Sequence, residues 1–303
     1  MCTRARSVSL LRVITFCDCR CSSPLALQST VKVAGEQLYL AMVADGHGGK
    51  HAAVHCKKMI IGAIVGELGQ KAPTGKAVRD AGRAAFARAH AEVLANDKTT
   101  AGSTLTCVVV NVDRAELTTL HSGDSVARLV PHHAKCVALC EDHRIDSSEA
   151  ERDRLTKLGG QIARAMDSQG QPAGPLRLWP GGVAQARAIG DRDVGSLIDA
   201  RPFVRSVPMP AETCCIVICS DGVWDALLPA AVDAIARRGL ANSAKQAADT
   251  ICNSALMQRH AYSNEGDALP RDDTTCIVIR VELEDDPIQT SQGCIGPCAA
   301  PRK

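Results

Sequence analysis

Short apolar segments joined by only a few turn residues constrain the fold more than any other feature of this sequence. Three of them, STLTCVVVNV, AELTTLHSG and VARLVP, follow one another between residues 103 and 131, and KCVALC comes soon after. Parallel neighbours need a crossover of about a dozen residues or more, so connections this short join antiparallel strands. The sequence therefore predicts antiparallel sheets with helices packed on them, and not a doubly wound parallel sheet.

Other segments extend this scheme. Further strands are predicted at EQLYLAMVA, TCCIVICSDG and TTCIVIRVEL. Apolar residues at helical spacing predict helices after Gly49, over about 76–95, in SSEAERDRLTKLGG and, as one or two helices, over 230–259. Residues 161–182 are rich in Gly and Pro and are predicted to form a long loop or flap.

The patterned region is predicted to be a single domain over residues 31–283. An unpatterned N-terminal segment, 1–30, precedes it, and a disordered tail, 284–303, follows it. CDCRC, in the first of these segments, has no structural zinc spacing and is interpreted as thiols of an ill-ordered terminus.

Composition excludes several classes of function. With 46% hydrophobic residues and a net charge of +2, the chain is globular in composition and lacks the basic footprint of a duplex-binding protein. Three Phe, two Trp and two Tyr provide little surface for stacking single-stranded bases. No apolar run reaches the roughly 18 residues that a bilayer span requires. We therefore expect neither nucleic-acid nor membrane partners, and a monomer is the default oligomeric state.

The fifteen cysteines indicate a reducing compartment. Their number is odd and their spacing irregular, whereas a disulfide framework usually has an even number at regular spacing. Several lie inside apolar runs and are predicted to be small buried hydrophobes: Cys107, Cys215, Cys219 and Cys276. A cytoplasmic or nuclear location is expected, and the basic N-terminus, which lacks acids, leaves an organelle transit peptide open.

Acidic residues recur where predicted strands begin or end. They are Asp45 in VADGHGG, Asp124 in HSGD, Asp221 and Asp225 in SDGVWD, and Asp272 in RDDTT. Any one Asp-Gly pair is a common hairpin turn. Several carboxylates at strand ends would repel one another unless a cation held them, and hard oxygen ligands suit Mg²⁺ or Mn²⁺. Such ions can activate a water for attack at phosphorus.

Seven motifs, in the same order, resemble those of the metal-dependent protein serine/threonine phosphatases, the PPM family of type 2C enzymes. They cover roughly residues 40–283 and are VADGHGG, AGSTLTCVVV, HSGDSVARL, EDHR followed by ERDRLTKLGG, ARAIGD, CSDGVWDAL and RDDTTCIVI. The resemblance implies an α+β fold, a four-layer α/β/β/α sandwich of two antiparallel sheets flanked by helices. It also implies hydrolysis of phosphoserine and phosphothreonine in protein substrates.

The same resemblance assigns roles to individual residues. Asp45 would bridge two Mg²⁺ or Mn²⁺ ions, and Gly46 would contribute its carbonyl. Asp221 and Asp272 would bind the other ion, while Asp124 and Asp225 match the positions of a weaker third metal. His47 would be the general acid that protonates the leaving oxygen. An imidazole with an ordinary pKa near 6.5 is suited to that task close to neutrality.

Departures from the family pattern keep a second class of function open. Active relatives have, some twenty residues before DGHGG, an Arg that grips phosphate and a Glu-Asp pair that supports the metals. The only acids before Asp45 here are Asp18 and Glu36, which form no such pair, and Arg20 lies in surroundings that do not match. The alternative is therefore a catalytically weak or inactive phosphatase-like binding protein.

A zinc site is a further alternative. His47, His51 and His55 are four residues apart and would share one face of a continuous helix. Gly48 and Gly49 argue that His47 precedes the helix, so we expect that the three histidines do not converge.

Overall fold

The computed structural model describes residues 8–12, 25–258 and 273–283. These residues form fifteen strands: β1 (Val8–Arg12), β2 (Leu25–Val33), β3 (Glu36–Ala44), β4 (Gly46–His47), β5 (Gly102–Ser103), β6 (Leu105–Asn111), β7 (Glu116–Ser122), β8 (Val126–Pro131), β9 (Val137–Ala138), β10 (Gln161–Met166), β11 (Pro172–Trp179), β12 (Ile189–Gly190), β13 (Phe203–Pro208), β14 (Cys214–Cys219) and β15 (Cys276–Leu283). The helices of the same residues are α1 (His51–Leu68), α2 (Gly75–Leu94), α3 (Glu149–Lys157), α4 (Asp221–Trp224), α5 (Pro229–Ala241) and α6 (Ala244–Met257).

Two five-stranded antiparallel sheets form the centre of the molecule. Sheet I has the order β13-β7-β6-β3-β2, and sheet II has the order β1-β15-β14-β8-β9. A third sheet, β12-β5-β4, and the hairpin β10-β11 lie outside them. The antiparallel pairing predicted from the short connections is confirmed for β6 and β7, which a turn of a few residues joins. The equally short connection from β7 to β8 instead crosses from sheet I to sheet II, where β8 pairs with β14 and β9.

Alternation along the strands builds the four layers. In β3, Tyr39, Ala41 and Val43 belong to the core between the two sheets, together with residues of β6, β8, β14 and β15. The intervening residues of β3 pack instead with α1 and α2. In β14, Ile216 and Ile218 face the intersheet core, and Val217 packs with α5 and α6. The predicted α/β/β/α sandwich follows, because each central strand is buried on both faces.

The segment 161–182 differs from the predicted loop. Its two strands β10 and β11 pair antiparallel, from Gln161 opposite Trp179 to Met166 opposite Pro172. The Asp167 side chain closes the turn by accepting hydrogen bonds from the backbone N–H groups of Gln169 and Gln171, each at 2.8 Å. Most of the hairpin is exposed, so its sequence carries no apolar alternation that would have predicted strands.

The predicted domain start at residue 31 lies inside β2, which begins at Leu25, and β1 forms within the segment 1–30 that was predicted to be unpatterned. β2 is an edge strand in which Gln28, Thr30 and Lys32 are exposed. These polar residues alternate with Leu27, Val31 and Val33, which pack on the core beneath α1 and α2, as in a half-buried strand. CDCRC and the tail 284–303 lie outside the described residues. None of the helices that the structure describes is long and apolar enough to cross a membrane.

Candidate active site

The strand registers bring the acids to one end of the sandwich. β3 ends beside the start of β6, and β6 starts beside the end of β7, so the residues that follow β3 and β7 are neighbours. These residues include Asp45 and Asp124. The chain then crosses to sheet II, where the start of β8 pairs with the end of β14. Asp221 comes two residues after the end of β14 and so lies at the same end.

One guanidinium joins three of the predicted metal ligands. Arg144 Nε lies 3.0 Å from Asp124 Oδ2, and Nη2 lies 3.6 Å from Asp221 Oδ2. Nη1 forms a short hydrogen bond with Asp225 Oδ1. The single turn of α4 supports this arrangement, because the backbone N–H of Asp225 donates to Asp221 O at 2.8 Å. Carboxylates that are far apart in the chain therefore surround one positive charge.

Burial and charge act in opposite directions on this cluster. Asp124 is only 7% exposed, and this burial raises the pKa of its carboxyl, although Arg144 opposes the shift. Burial lowers the pKa of Arg144, but the carboxylates of Asp124, Asp225 and Asp221 outweigh it and raise the pKa overall. The side chains of this cluster offer carboxylate oxygens that already surround the Arg144 guanidinium. Such oxygens are the ligands that hard divalent metal ions prefer.

Asp45 is fixed through its backbone by the strand beside it. Its carbonyl accepts hydrogen bonds from Thr104 N at 2.8 Å and from Ser103 Oγ at 3.1 Å. The Thr104 hydroxyl accepts from the backbone N–H of Asp45 at 3.2 Å and bonds to Ser125 Oγ at 2.8 Å. Asp45 and the residue next to Asp124 are thus tied to the same threonine. Gly46 follows in β4.

His47 is held by two partners. Gln185 Nε2 lies 2.9 Å from His47 Nδ1, so in the neutral ring Nδ1 accepts from this amide and Nε2 carries the proton. His47 Nε2 then donates to Asp191 Oδ1 at 2.7 Å. Burial lowers the pKa of His47, but the hydrogen bond to Asp191 and the nearby carboxylates outweigh it, so the pKa is raised. The imidazole therefore keeps its proton to a higher pH than a free histidine.

Gly102 leaves the space that this pair occupies. A Cβ at this position would overlap the carboxylate of Asp191 and Nε2 of His47. Asp191 is buried, and its second oxygen, Oδ2, has no hydrogen-bond partner among the residues that the structure describes.

One predicted metal ligand is not among the residues that the structure describes. Asp272 lies outside the described residues, and its role stays a prediction. The next residue, Asp273, lies beside the Asp221 turn: its carbonyl accepts from Ser220 Oγ at 3.1 Å and would overlap a Cβ on Gly222.

The three histidines of the zinc alternative have different partners. His47 contacts Asp191, His51 Nε2 lies 2.9 Å from the Asn96 amide, and His55 Nε2 lies 2.9 Å from Glu92. Within 8–12, 25–258 and 273–283, no group of three His, Cys, Asp or Glu residues is arranged as it stands to enclose a metal ion. At the acidic cluster, Arg144 lies among the carboxylates.

Three contacts of the site had no role in the sequence interpretation: Arg144, Gln185 and Asp191. Arg144 is the last residue of EDHR and Asp191 the last of ARAIGD, so the motif positions marked them without indicating their contacts. Gln185 carries no such signal, because its contact with His47 depends on a turn 138 residues along the chain.

Comparison with known proteins agrees with this geometry. The family model "Protein phosphatase 2C" matches residues 18–263. "Probable protein phosphatase 2C 5" of Arabidopsis thaliana is 34% identical over 242 residues, which are 79% of this chain and 53% of that protein. "Probable protein phosphatase 2C 33" of Oryza sativa subsp. japonica is 33% identical over 86% of this chain and 56% of its own length. The chain thus spans about half the length of these curated relatives.

Solved structures support the fold at lower identity. A serine-threonine phosphatase 2C from Toxoplasma gondii superposes with a TM-score of 0.64 at 18% identity, over 89% of this chain and 99% of that chain. A C. elegans sex determining protein gives a TM-score of 0.71 at 18% identity, over 88% of this chain and 64% of that chain. With the family model matched over most of its length, the chain belongs to the protein phosphatase 2C family.

Proposed function

We propose that this chain is a metal-dependent phosphatase that hydrolyses phosphoserine and phosphothreonine in protein substrates. The observation that carries the proposal is that Asp124, Asp221 and Asp225 surround the Arg144 guanidinium. They do so at the end of the sandwich where Asp45 and His47 also lie. Membership of the phosphatase 2C family supports the same reaction class.

In this proposal the acids hold the metal. Asp45, Gly46, Asp221 and Asp272 hold two Mg²⁺ or Mn²⁺ ions, and Asp124 and Asp225 form a weaker third site. When bound, the ions supply a water of lowered pKa for attack at phosphorus and neutralise charge on the phosphate.

His47 supplies the proton for the leaving group. As the bond between phosphorus and the serine or threonine oxygen breaks, that oxygen needs a proton to leave as a hydroxyl. The donor is the doubly protonated ring, which gives up one of its two ring protons and returns to the neutral imidazole that Asp191 Oδ1 orients through Nε2. Asp191 does not touch the substrate in this scheme. It is a positioning residue that orients the ring and favours its protonated form.

The test is phosphate release from phosphoserine and phosphothreonine peptides with Mn²⁺ or Mg²⁺, repeated with chelator. We expect activity that chelator stops and that Asp221→Ala reduces by at least about 100-fold, as loss of a direct metal ligand should. Asp153→Ala, an exposed acid on α3, is the matched control and should keep wild-type activity. Turnover that survives both chelator and Asp221→Ala would refute the proposal.

One observation favours a second candidate, a catalytically weak or inactive binding protein. Glu36 is one of the two acids that precede Asp45, and it lies at the opposite end of β3, where its carboxylate bonds to Arg114 and Asn111. It therefore cannot support metals beside Asp45. Metal binding without turnover, across several phosphopeptides, would favour this candidate.

A further inference from the structure

Arg144 occupies the acidic cluster as a fixed part of the fold. Its backbone N–H donates to Asp142 Oδ1 at 2.9 Å, and its carbonyl accepts from Ser148 N at 3.0 Å. It also forms an isolated bridge with Gln185, the residue that contacts His47. Only 28% of the side chain is exposed. The guanidinium therefore starts from a constrained backbone and has little freedom to leave the cluster without losing its partners.

The contacts of Arg144 use the oxygens that a metal ion would need. Its Nε and Nη1 atoms bond to Asp124 and Asp225, which come from the β7–β8 connection and from the residue after α4. Each contact occupies a lone pair of a carboxylate oxygen, and a guanidinium and a divalent ion this close repel each other, so the two compete for these carboxylates. Three carboxylates with one arginine carry a net charge of −2, whereas the same carboxylates alone carry −3. The arginine thus lowers the attraction of the cluster for a further cation.

We propose that Arg144 is a built-in cation that competes with a divalent metal ion for Asp124 and Asp225. The guanidinium neutralises part of the negative charge of Asp124 and Asp225, so that a metal ion binds these two carboxylates only by displacing it. The inference rests on the proposed metal dependence of the site, and it concerns how many ions bind and how tightly. Removing the guanidinium should leave the carboxylates in place and open the position to Mn²⁺.

The experiment counts bound Mn²⁺ by electron paramagnetic resonance of the free ion, in titrations of the full chain. Arg144→Gln should gain one ion per chain, or bind its weakest ion at least about 10-fold more tightly than the wild type does, within the usual range of coupling between sites. Arg144→Lys keeps the charge but loses the fork of donors, so its gain should be smaller. Arg83→Gln removes an exposed arginine of α2 and should bind as the wild type does.

Asp225→Asn keeps the proposal testable if Arg144→Gln fails to fold. In the wild-type background this change should weaken binding of the weakest ion by less than about 10-fold, because Arg144 already competes for that carboxylate. In the Arg144→Gln background it should abolish the gain. A loss of more than about 10-fold in affinity for the weakest ion from Asp225→Asn alone, or equal binding by Arg144→Gln and the wild type, would overturn the proposal.

The readout separates this inference from the proposed function. A chain that binds two ions without releasing phosphate refutes the phosphatase, and the comparison of Arg144→Gln with the wild type still decides the competition. A chain that releases phosphate but binds Mn²⁺ identically with and without Arg144 refutes the competition alone. A chain that binds no Mn²⁺ overturns both.

Discussion

Asp191 contacts His47 from an unfavourable backbone conformation. Its φ of 56° lies in the left-handed region, which a non-glycine residue seldom adopts and which costs on the order of 1 kcal/mol. The buried carboxylate bonds to His47, and Gly102 leaves room for the pair. The surrounding structure therefore stabilises a backbone conformation that is locally unfavourable for Asp191. In this conformation its carboxylate hydrogen-bonds to His47.

The first prediction concerns the pH dependence of His47. Its pKa is raised, so the protonated form required of a general acid is lost only as pH rises through that raised value. Asp191→Asn removes the hydrogen-bonded carboxylate and should lower the pKa. The basic limb of kcat for an alkyl phosphate should then move to lower pH. Asp193→Asn, an exposed acid two residues away, should leave the limb in place. A limb that is unchanged in Asp191→Asn would contradict the role given to this contact.

At the residue scale, sequence could identify candidates but not contacts. Asp45, Asp124, Asp221 and Asp225 stand out because acids beside strands and glycines are conspicuous. Arg144 and Asp191 sit in motifs that were recognised, yet their partners are 20 to 144 residues away along the chain. Such pairings arise from the sheet registers, which periodicity alone does not specify.

At the scale of elements, two glycines in neighbouring helices have different surroundings. Gly66 in α1 is exposed, and a Cβ added there would meet nothing within 4 Å. Gly82 in α2 is buried, and a Cβ would overlap the side chain of Leu120 on β7. Gly66 lowers the helix propensity of α1, whereas Gly82 lets α2 approach sheet I closely.

The second prediction uses this contrast. Gly66→Ala should raise the free energy of unfolding by about 0.5–1 kcal/mol, because alanine restricts the unfolded chain and favours helix. Gly82→Ala should lower it by about 1–3 kcal/mol, because the fully buried Leu120 must move. Urea unfolding of the two variants measures both values. Stabilisation by both substitutions would show that α2 can shift away from the sheet without loss.

A pair of stacked histidines connects β7 to the turn that carries Arg144. The rings of His121 and His143 lie 4.7 Å apart at an angle of 14°, and both are buried. His143 Nδ1 accepts from the backbone N–H of Gly123 at 3.1 Å, next to Asp124. Burial lowers the pKa of His121 to about 4 and that of His143 to about 2.

The third prediction is a loss of stability in acid. Both histidines are neutral in the fold but take up protons near pH 6.5 when the chain unfolds, so the free energy of unfolding should fall as pH drops below 6.5. At pH 5 each contributes a loss of about 2 kcal/mol. Unfolding in urea at pH 7.5 and 5 should show a smaller difference for His121→Gln than for the wild type, and the exposed His133→Gln should retain the wild-type difference. An identical difference in all three proteins would contradict the assignment.

At the scale of the whole molecule, the sandwich gathers groups that no single element could hold. Asp45 follows a strand of sheet I, Asp221 comes after a strand of sheet II, and Asp124 lies on a connection between the two sheets. The relative position of the sheets is set by their common core of aliphatic residues. The geometry of the site is therefore a property of the packed molecule, and metal binding should be coupled to its global stability.

The fourth prediction follows from that coupling. Mn²⁺ at about 100 times its dissociation constant should add about 2.7 kcal/mol to the stability of the fold. For a chain of 303 residues that corresponds to a rise in Tm of about 4–5 °C. Thermal unfolding with and without Mn²⁺ measures the shift. Asp221→Ala should lose most of it and Asp153→Ala should keep it, whereas an equal shift in both variants would place the bound metal elsewhere.

The overall architecture was accessible from sequence because the signals that define it are local. The short turn between β6 and β7 indicates antiparallel pairing, and the helical spacing around Ile60 and Ile64 indicates a packed helix. The hairpin at 161–179 and the edge strand β2 are not predicted from sequence, because each buries only a few apolar side chains, such as Leu178 of β11 and Val33 of β2.

The thiols inside this fold determine how it can be handled in the laboratory. Of the nine cysteines that the structure describes, seven are buried and none is cross-linked, and burial raises the pKa of Cys56 to about 12. The seven buried thiols are inert while the protein stays folded. Heating exposes them to air, where random disulfides would trap the chain. Calorimetric scans should therefore be reversible only in the presence of a reductant.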